Sequence, residues 1–155
     1  MTNLPRKNSS TVIIKKWKMI MQFKNLNENY IRVYDDVIPQ LMCDHMIEEF
    51  EKNEDQFDKQ TLKGHRSFTQ ITLQQYKNWK PYQDNLQYAF NTCIDRYMED
   101  CDITNKMFPE QYAYEMYRMK RYEPNGVDEF HDHVDVGNYA SAKRFLVFFL
   151  YLNEP

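Results

Sequence analysis

The stretch His131-Asp132-His133-Val134-Asp135 gathers two imidazoles and two carboxylates into five residues. These are nitrogen and oxygen donors of the kind that bind divalent first-row metals. On a strand, residues two apart point the same way, so His133 and Asp135 would project side by side. An imidazole and a carboxylate so placed are two of the three ligands of a 2-His-1-carboxylate iron site, which keeps positions open for substrate and oxygen. His131 with His133 forms a second pair, suited to zinc or copper. His131, His133 and Asp135 cannot easily share one ion. The outer two would lie roughly 13 Å apart along a strand, and each donor must come within about 2 Å of the metal.

The remaining composition bounds what surrounds this cluster. A chain of 155 residues, 42% hydrophobic with 12 Tyr and 10 Phe, can bury a sizeable core as one globular domain. A net charge of -3 and a pI near 5.8 argue against a general nucleic-acid binder. The exception is the start of the chain, where Arg6, Lys7, Lys15, Lys16 and Lys18 occur with no acidic residue. Residues 1–25 are therefore expected to form a loosely ordered basic arm, and residues 26–155 the domain. No run approaches the roughly 18 apolar residues of a membrane helix. No targeting segment is legible, so the expected compartment is the cytoplasm. Three glycines are too few for a dinucleotide fingerprint or a Walker A loop. Cys43, Cys93 and Cys101 have neither zinc spacing nor an even count, and read as buried free thiols.

The elements that would position the cluster follow from periodicity. Tyr30 to Val37 reads as a strand ended by Asp35-Asp36. After Pro39, the residues Leu41, Met42, Met46 and Phe50 recur at helical spacing. The charged stretch from Glu51 to Lys63 reads as loop or frayed helix. Gly64 to Leu73 could hold a strand, although Phe68, Ile71 and Leu73 keep no single parity. Leu86, Phe90, Cys93, Ile94, Tyr97 and Cys101 define a second helix, starting near Tyr82 after Pro81. Tyr112 to Tyr122 switches to period two, with Arg118, Lys120 and Tyr122 on one face. Glu123-Pro124-Asn125-Gly126 is turn chemistry. The run Phe145 to Leu152 is suited to a central strand buried on both faces. Helices followed by strands imply an α+β fold.

Three motifs in the last third of the chain stand in a telling order. They are Tyr122-Glu123-Pro124-Asn125-Gly126, then His133-Val134-Asp135, then Arg144-Phe145-Leu146-Val147-Phe148-Phe149-Leu150-Tyr151-Leu152-Asn153. Together with the opening Ile31-Arg32-Val33-Tyr34-Asp35-Asp36-Val37-Ile38-Pro39, this segment resembles the iron(II)- and 2-oxoglutarate-dependent dioxygenases of the prolyl 4-hydroxylase type. The resemblance covers roughly Tyr30 to Pro155. It implies helices packed on a double-stranded β-helix (jelly-roll or cupin-like) sheet core.

Within that resemblance His133 and Asp135 are the proximal iron ligands. Tyr122 and Tyr151 match tyrosines that line the 2-oxoglutarate pocket, where their hydroxyls would donate to the co-substrate's carboxylates. Arg144 reads as a solvated charge at a strand end. The implied cofactors are Fe(II) and 2-oxoglutarate, with ascorbate as a further one. The implied partners are O2 and a peptide or protein substrate. The implied reaction hydroxylates a C–H bond, a prolyl residue above all, and releases succinate and CO2. The distal iron-binding His and the basic 2-oxoglutarate anchor of the family would follow Tyr-Leu-Asn, beyond Pro155. The chain is therefore expected to be the N-terminal portion of such an enzyme, with the sheet core incomplete at its C-terminus. Two other classes fit the same residues: a non-catalytic binding module that keeps the fold, and a metal hydrolase or cupin-like protein using His131 with His133.

Overall fold

The computed structural model describes residues 30–154. The basic arm of residues 1–25 lies outside the described residues. Among the described residues two α-helices, α1 (Gln40–Lys52) and α2 (Lys80–Asp100), accompany four strands: β1 (Asp58–Leu62), β2 (Arg66–Thr72), β3 (Arg118–Arg121) and β4 (Glu129–Phe130). The strands form one antiparallel sheet that does not close among the described residues. No helix of the described residues is long and apolar enough to cross a membrane.

The strand at the centre is β2. One edge pairs with β1 from Asp58↔Gln70 to Leu62↔Arg66. β3 (Thr69↔Arg121 to Thr72↔Arg118) and β4 (Arg66↔Phe130, Ser67↔Glu129) take successive stretches of the other edge. From Phe68 to Thr72 every residue is buried. Alternation therefore sends Phe68, Gln70 and Thr72 to one face and Thr69 and Ile71 to the other. The Ile71 face meets the helices. Ile71, Leu73 and Trp79 pack with Cys43, Met46 and Phe50 of α1 and with Leu86 and Ala89 of α2. Trp79 is wholly buried, and its Nε1 donates to Gln56 Oε1 at 2.8 Å.

Both helices begin where proline tolerates a start. Pro39 caps α1, its carbonyl accepting from the Met42 and Cys43 N–H groups at 2.9 and 3.2 Å. Pro81 lies in the first turn of α2, where a missing N–H costs nothing. α1 and α2 thus fall where the apolar spacing predicts them. β1 does not: its residues Asp58 to Leu62 are mostly exposed and give no apolar alternation. A hairpin specifies it instead. The His65 N–H donates to Leu62 O at 2.9 Å, and Gly64 adopts φ +73°, the left-handed conformation such a short turn requires. The three cysteines are free thiols, with Cys43 buried and the others half-buried.

Three expected strands differ. Tyr30 to Val37 joins no ladder. Side chains anchor it to the end of α2: Arg32 Nη2 donates to Asp100 O (2.8 Å), Tyr34 Oη to Asp100 Oδ2 (2.8 Å), and Tyr97 Oη to Tyr30 O (2.8 Å). Only Arg118–Arg121 of the Tyr112–Tyr122 stretch pairs as strand. Phe145 to Leu152 is neither central nor buried on both faces. Leu146, Phe148, Leu150 and Leu152 are half-buried, and Phe148 stacks on Phe90 of α2 at 5.0 Å. Phe145, Val147, Phe149 and Tyr151 on the other parity are exposed, because no described strand lies over them. The doubly buried role belongs to β2.

Two substitutions test this core. Trp79→Ala is expected to lower the unfolding free energy by about 3–5 kcal/mol in urea denaturation. Gln56→Leu, which strands the buried indole N–H, should cost about 1–3 kcal/mol. A loss below about 1 kcal/mol for Trp79→Ala would show that the helices are not packed around it.

Candidate metal centre

The segment bearing the five-residue cluster is tied to the sheet at both sides. Before it, the turn from Glu123 to Asp128 is knit by side chains. Asp128 accepts from Ser67 Oγ on β2 (2.8 Å) and from the Glu123 N–H (3.0 Å), which holds its carboxyl below the usual carboxylate range. Asn125 Oδ1 accepts from the Val127 and Asp128 N–H groups, both at 2.8 Å. The segment then pairs with β2 at Glu129–Phe130. The next residue, His131, donates its N–H to His65 O at 3.0 Å.

Strand pairing stops at Phe130, so His131 to Asp135 is not a strand and alternation does not align its side chains. His133 and Asp135 nonetheless meet: His133 Nε2 lies 3.5 Å from Asp135 Oδ1. His133 Nδ1 lies 2.8 Å from His131 O. A carbonyl only accepts, so Nδ1 carries a proton and Nε2 is the ring nitrogen that faces the carboxylate. Phe130 stacks on the His133 ring, with centroids 4.0 Å apart and planes 20° apart, and fixes its plane. His131 turns elsewhere, its Nε2 lying 2.9 Å from Glu129 Oε1.

The spacing of these two donors is that of an ion pair, and it also falls within the range of two ligands on one metal ion. Two ligands each about 2.1 Å from an ion lie about 3 Å apart at a right angle and about 4 Å apart when opposite. The observed 3.5 Å lies between those limits. The backbone bond at Nδ1 is the outer support that metal-bound histidines characteristically have. Among the described residues no group of three His, Cys, Asp or Glu side chains is arranged to hold a metal ion.

Tyr122 and Tyr151 fall on this same side of the molecule. Tyr122 follows β3, and its ring packs on Phe68 of β2 at 5.3 Å. Burial pushes its hydroxyl pKa up, and the neighbouring Tyr151 and Asp128 add to the shift. Tyr151 lies on the exposed parity of the Phe145–Leu152 segment.

Two features escape a sequence reading. The first is Lys120, set between the rings of Phe68 and Phe130, with Nζ 4.6 Å from each centroid. The second is a clamp on Asp135. Arg144 donates from Nη1 to the Asp135 backbone O (2.7 Å), and from Nε and Nη2 to the two oxygens of Glu115 (2.6 and 2.9 Å). Arg144 is thus no solvated strand end. It fastens the segment carrying Asp135 to the one carrying Glu115. A Glu or Arg side chain alone gives no hint of such a partner 29 residues away.

Comparison of the chain with protein-family models, with curated proteins and with solved structures finds no match.

The clamp has a pH signature. The Arg144 hydrogen bonds hold Glu115 below its ordinary value of 4.5. A carboxylate depressed by folding stabilises the fold above its unfolded pKa, and that stability is lost as pH falls through the folded pKa. The group is half exposed, so solvent screening keeps the contribution small. Arg144→Gln is expected to return Glu115 toward 4.5 in a carboxyl NMR titration and to flatten the acid side of the stability profile. An unshifted Glu115 would contradict the clamp.

Proposed function

We propose that this chain carries the proximal half of a ferrous, 2-oxoglutarate-dependent oxygenase centre, and that its reaction is hydroxylation of a C–H bond in a peptide or protein, a prolyl residue above all. The observation that supports this reading is the mixed pair at 3.5 Å, His133 Nε2 and Asp135 Oδ1, with the histidine tautomer fixed from behind. An imidazole nitrogen and a carboxylate oxygen suit ferrous iron and leave most of its coordination positions open. A third protein ligand would complete the triad.

The chain's own residues have separable tasks. His133 would supply a neutral nitrogen donor, and the carbonyl of His131 would keep it in that tautomer. Asp135 would supply the anionic donor, with Arg144 fastening its backbone. Tyr122 and Tyr151 would donate hydroxyl hydrogen bonds to the carboxylates of 2-oxoglutarate. A phenol donates through its O–H, and burial raises the Tyr122 pKa above its ordinary value. Phe68 and Phe130 would wall the site against water. When bound, the iron and the 2-oxo acid supply O2 activation coupled to oxidative decarboxylation.

A second reading, a zinc or copper hydrolase built on His131 and His133, is less favoured by the geometry. His131 Nε2 is taken by Glu129, and the His131 backbone is already engaged with His133. The non-catalytic binding module shares the fold and differs only in binding no ferrous ion.

Anaerobic titration with ferrous ion and 2-oxoglutarate separates the three readings, followed through the charge-transfer absorption of the chelated 2-oxo acid and through succinate release. His133→Ala and Asp135→Ala are expected to abolish both signals, and His131→Ala to keep them. Loss of metal binding in His131→Ala with retention in Asp135→Ala would transfer the site to the histidine pair. Absence of binding in the unsubstituted protein would leave the binding module.

A further inference from the structure

We propose that residues 12–24 of this chain dock in cis as an added strand along residues 145–150. The docking needs neither metal nor co-substrate, and so goes beyond the ferrous reading. The seat is unfinished backbone. Residues 145–150 join no helix or ladder, and none of their N–H or C=O groups makes a backbone hydrogen bond with a described residue. Their burial nevertheless alternates as it does on a strand. Leu146, Phe148 and Leu150 are half-buried, so backbone groups beside them lose water without gaining a partner, a cost that a paired strand removes. Phe145, Val147 and Phe149 stay exposed on the other parity.

Pattern, tether and charge name the occupant. Ile13, Trp17, Met19, Met21 and Phe23 share one parity, and Lys16, Lys18, Gln22 and Lys24 the other. On a strand these make an apolar side and a basic side, whereas around a helix the lysines would point in every direction. In the docked strand the apolar side joins Leu146, Phe148 and Leu150. The stems of Lys16 and Lys18 lie beside the exposed rings, with their ammonium groups in water. The tether reaches. Tyr30 O accepts from Tyr97 Oη near the end of α2 at 2.8 Å, and Phe148 stacks on Phe90, about 10 Å back along the same helix. Residues 25–29 can span up to about 17 Å. A tether so short holds the arm at an effective concentration on the order of millimolar, which a second copy in dilute solution does not match. Charge favours the same occupant. Residues 1–29 hold six Lys or Arg against Glu28 alone, so within the total of -3 the remaining residues carry -8. The last turn of α2 ends in Glu99 and Asp100 with no basic residue, which sets like charge against the negative end of the helix. Lysines arriving beside it relieve that repulsion.

Amide hydrogen exchange of the 155-residue chain, free of metal and read by mass spectrometry, tests this. Amides of residues 145–150 are expected to exchange about tenfold or more slowly than in a free peptide of the same sequence. Met19→Pro removes a ladder N–H and cannot sit inside a paired strand, so it is expected to return those amides toward the free rate. Met19→Leu is expected to keep the protection. Amides of β2 should stay protected in both variants, which shows the fold to be intact. Free-rate exchange of residues 145–150 in the unsubstituted chain, or unchanged protection in Met19→Pro, overturns the proposal. Protection that grows with protein concentration assigns the seat to a second copy and overturns it too. No step involves iron or a 2-oxo acid, so failure here leaves the ferrous reading intact. Loss of ferrous binding in His133→Ala with the protection retained likewise leaves this one intact.

Discussion

Burial of β2 on both faces is the constraint from which the remaining structure follows. Phe68 and Ile71 lie three apart on one strand and so face opposite ways. Ile71 draws the two helices onto one side through Trp79, Phe50 and Leu86. Phe68 gathers Tyr122, Phe130 and Lys120 on the other. A strand used in this way separates two environments. One side is a mainly apolar core stitched by the Trp79–Gln56 and Gln83–Leu73 hydrogen bonds. The other sets the Lys120 ammonium among the Phe68 and Phe130 rings.

The candidate site inherits its geometry from short polar supports. Asp128 and Asn125 shape the turn that brings the chain back to β2. The His131 carbonyl sets the tautomer of His133, Phe130 sets the plane of its ring, and Arg144 ties the backbone of Asp135 to Glu115. None of these groups is itself a metal donor. Together they decide whether two donors converge or splay, which makes this half-site a product of its surroundings as much as of its ligands.

How far the sequence was legible varied with where each element meets water. α1 and α2 could be read because each buries one stripe against the core, leaving four-residue spacing in Met42, Met46 and Phe50 and in Leu86, Phe90 and Ile94. β2 read poorly for the reason that makes it central: a strand buried on both sides has no polar parity, so Phe68 and Ile71 looked out of step. β1 was invisible because Asp58 to Leu62 pairs through its backbone while its side chains face solvent. Phe145 to Leu152 is apolar at both parities, so its composition could not say which parity packs. His133 and Asp135 were found by type and spacing, although the strand expected to align them ends at Phe130. The clamp and Lys120 were missed because their meaning lies in partners that only the folded chain brings near.

The register on β2 also fixes an order of assembly. The β1–β2 hairpin closes over a three-residue turn, and the adjoining helices are local, so these parts require little loop closure. The site side is different. Ser67 and Asp128, whose hydrogen bond seats the turn before His133, are 61 residues apart, and Gln74 and Tyr117 are 43 apart. Contacts of that separation form slowly relative to local ones. The half of the molecule bearing the candidate donors therefore docks onto a scaffold already made. Until it does, His133 and Asp135 are two unconnected side chains on a mobile strand of polymer. Kinetically, the His133–Asp135 pairing is the last thing folding creates and the first thing a weakened β2 would release.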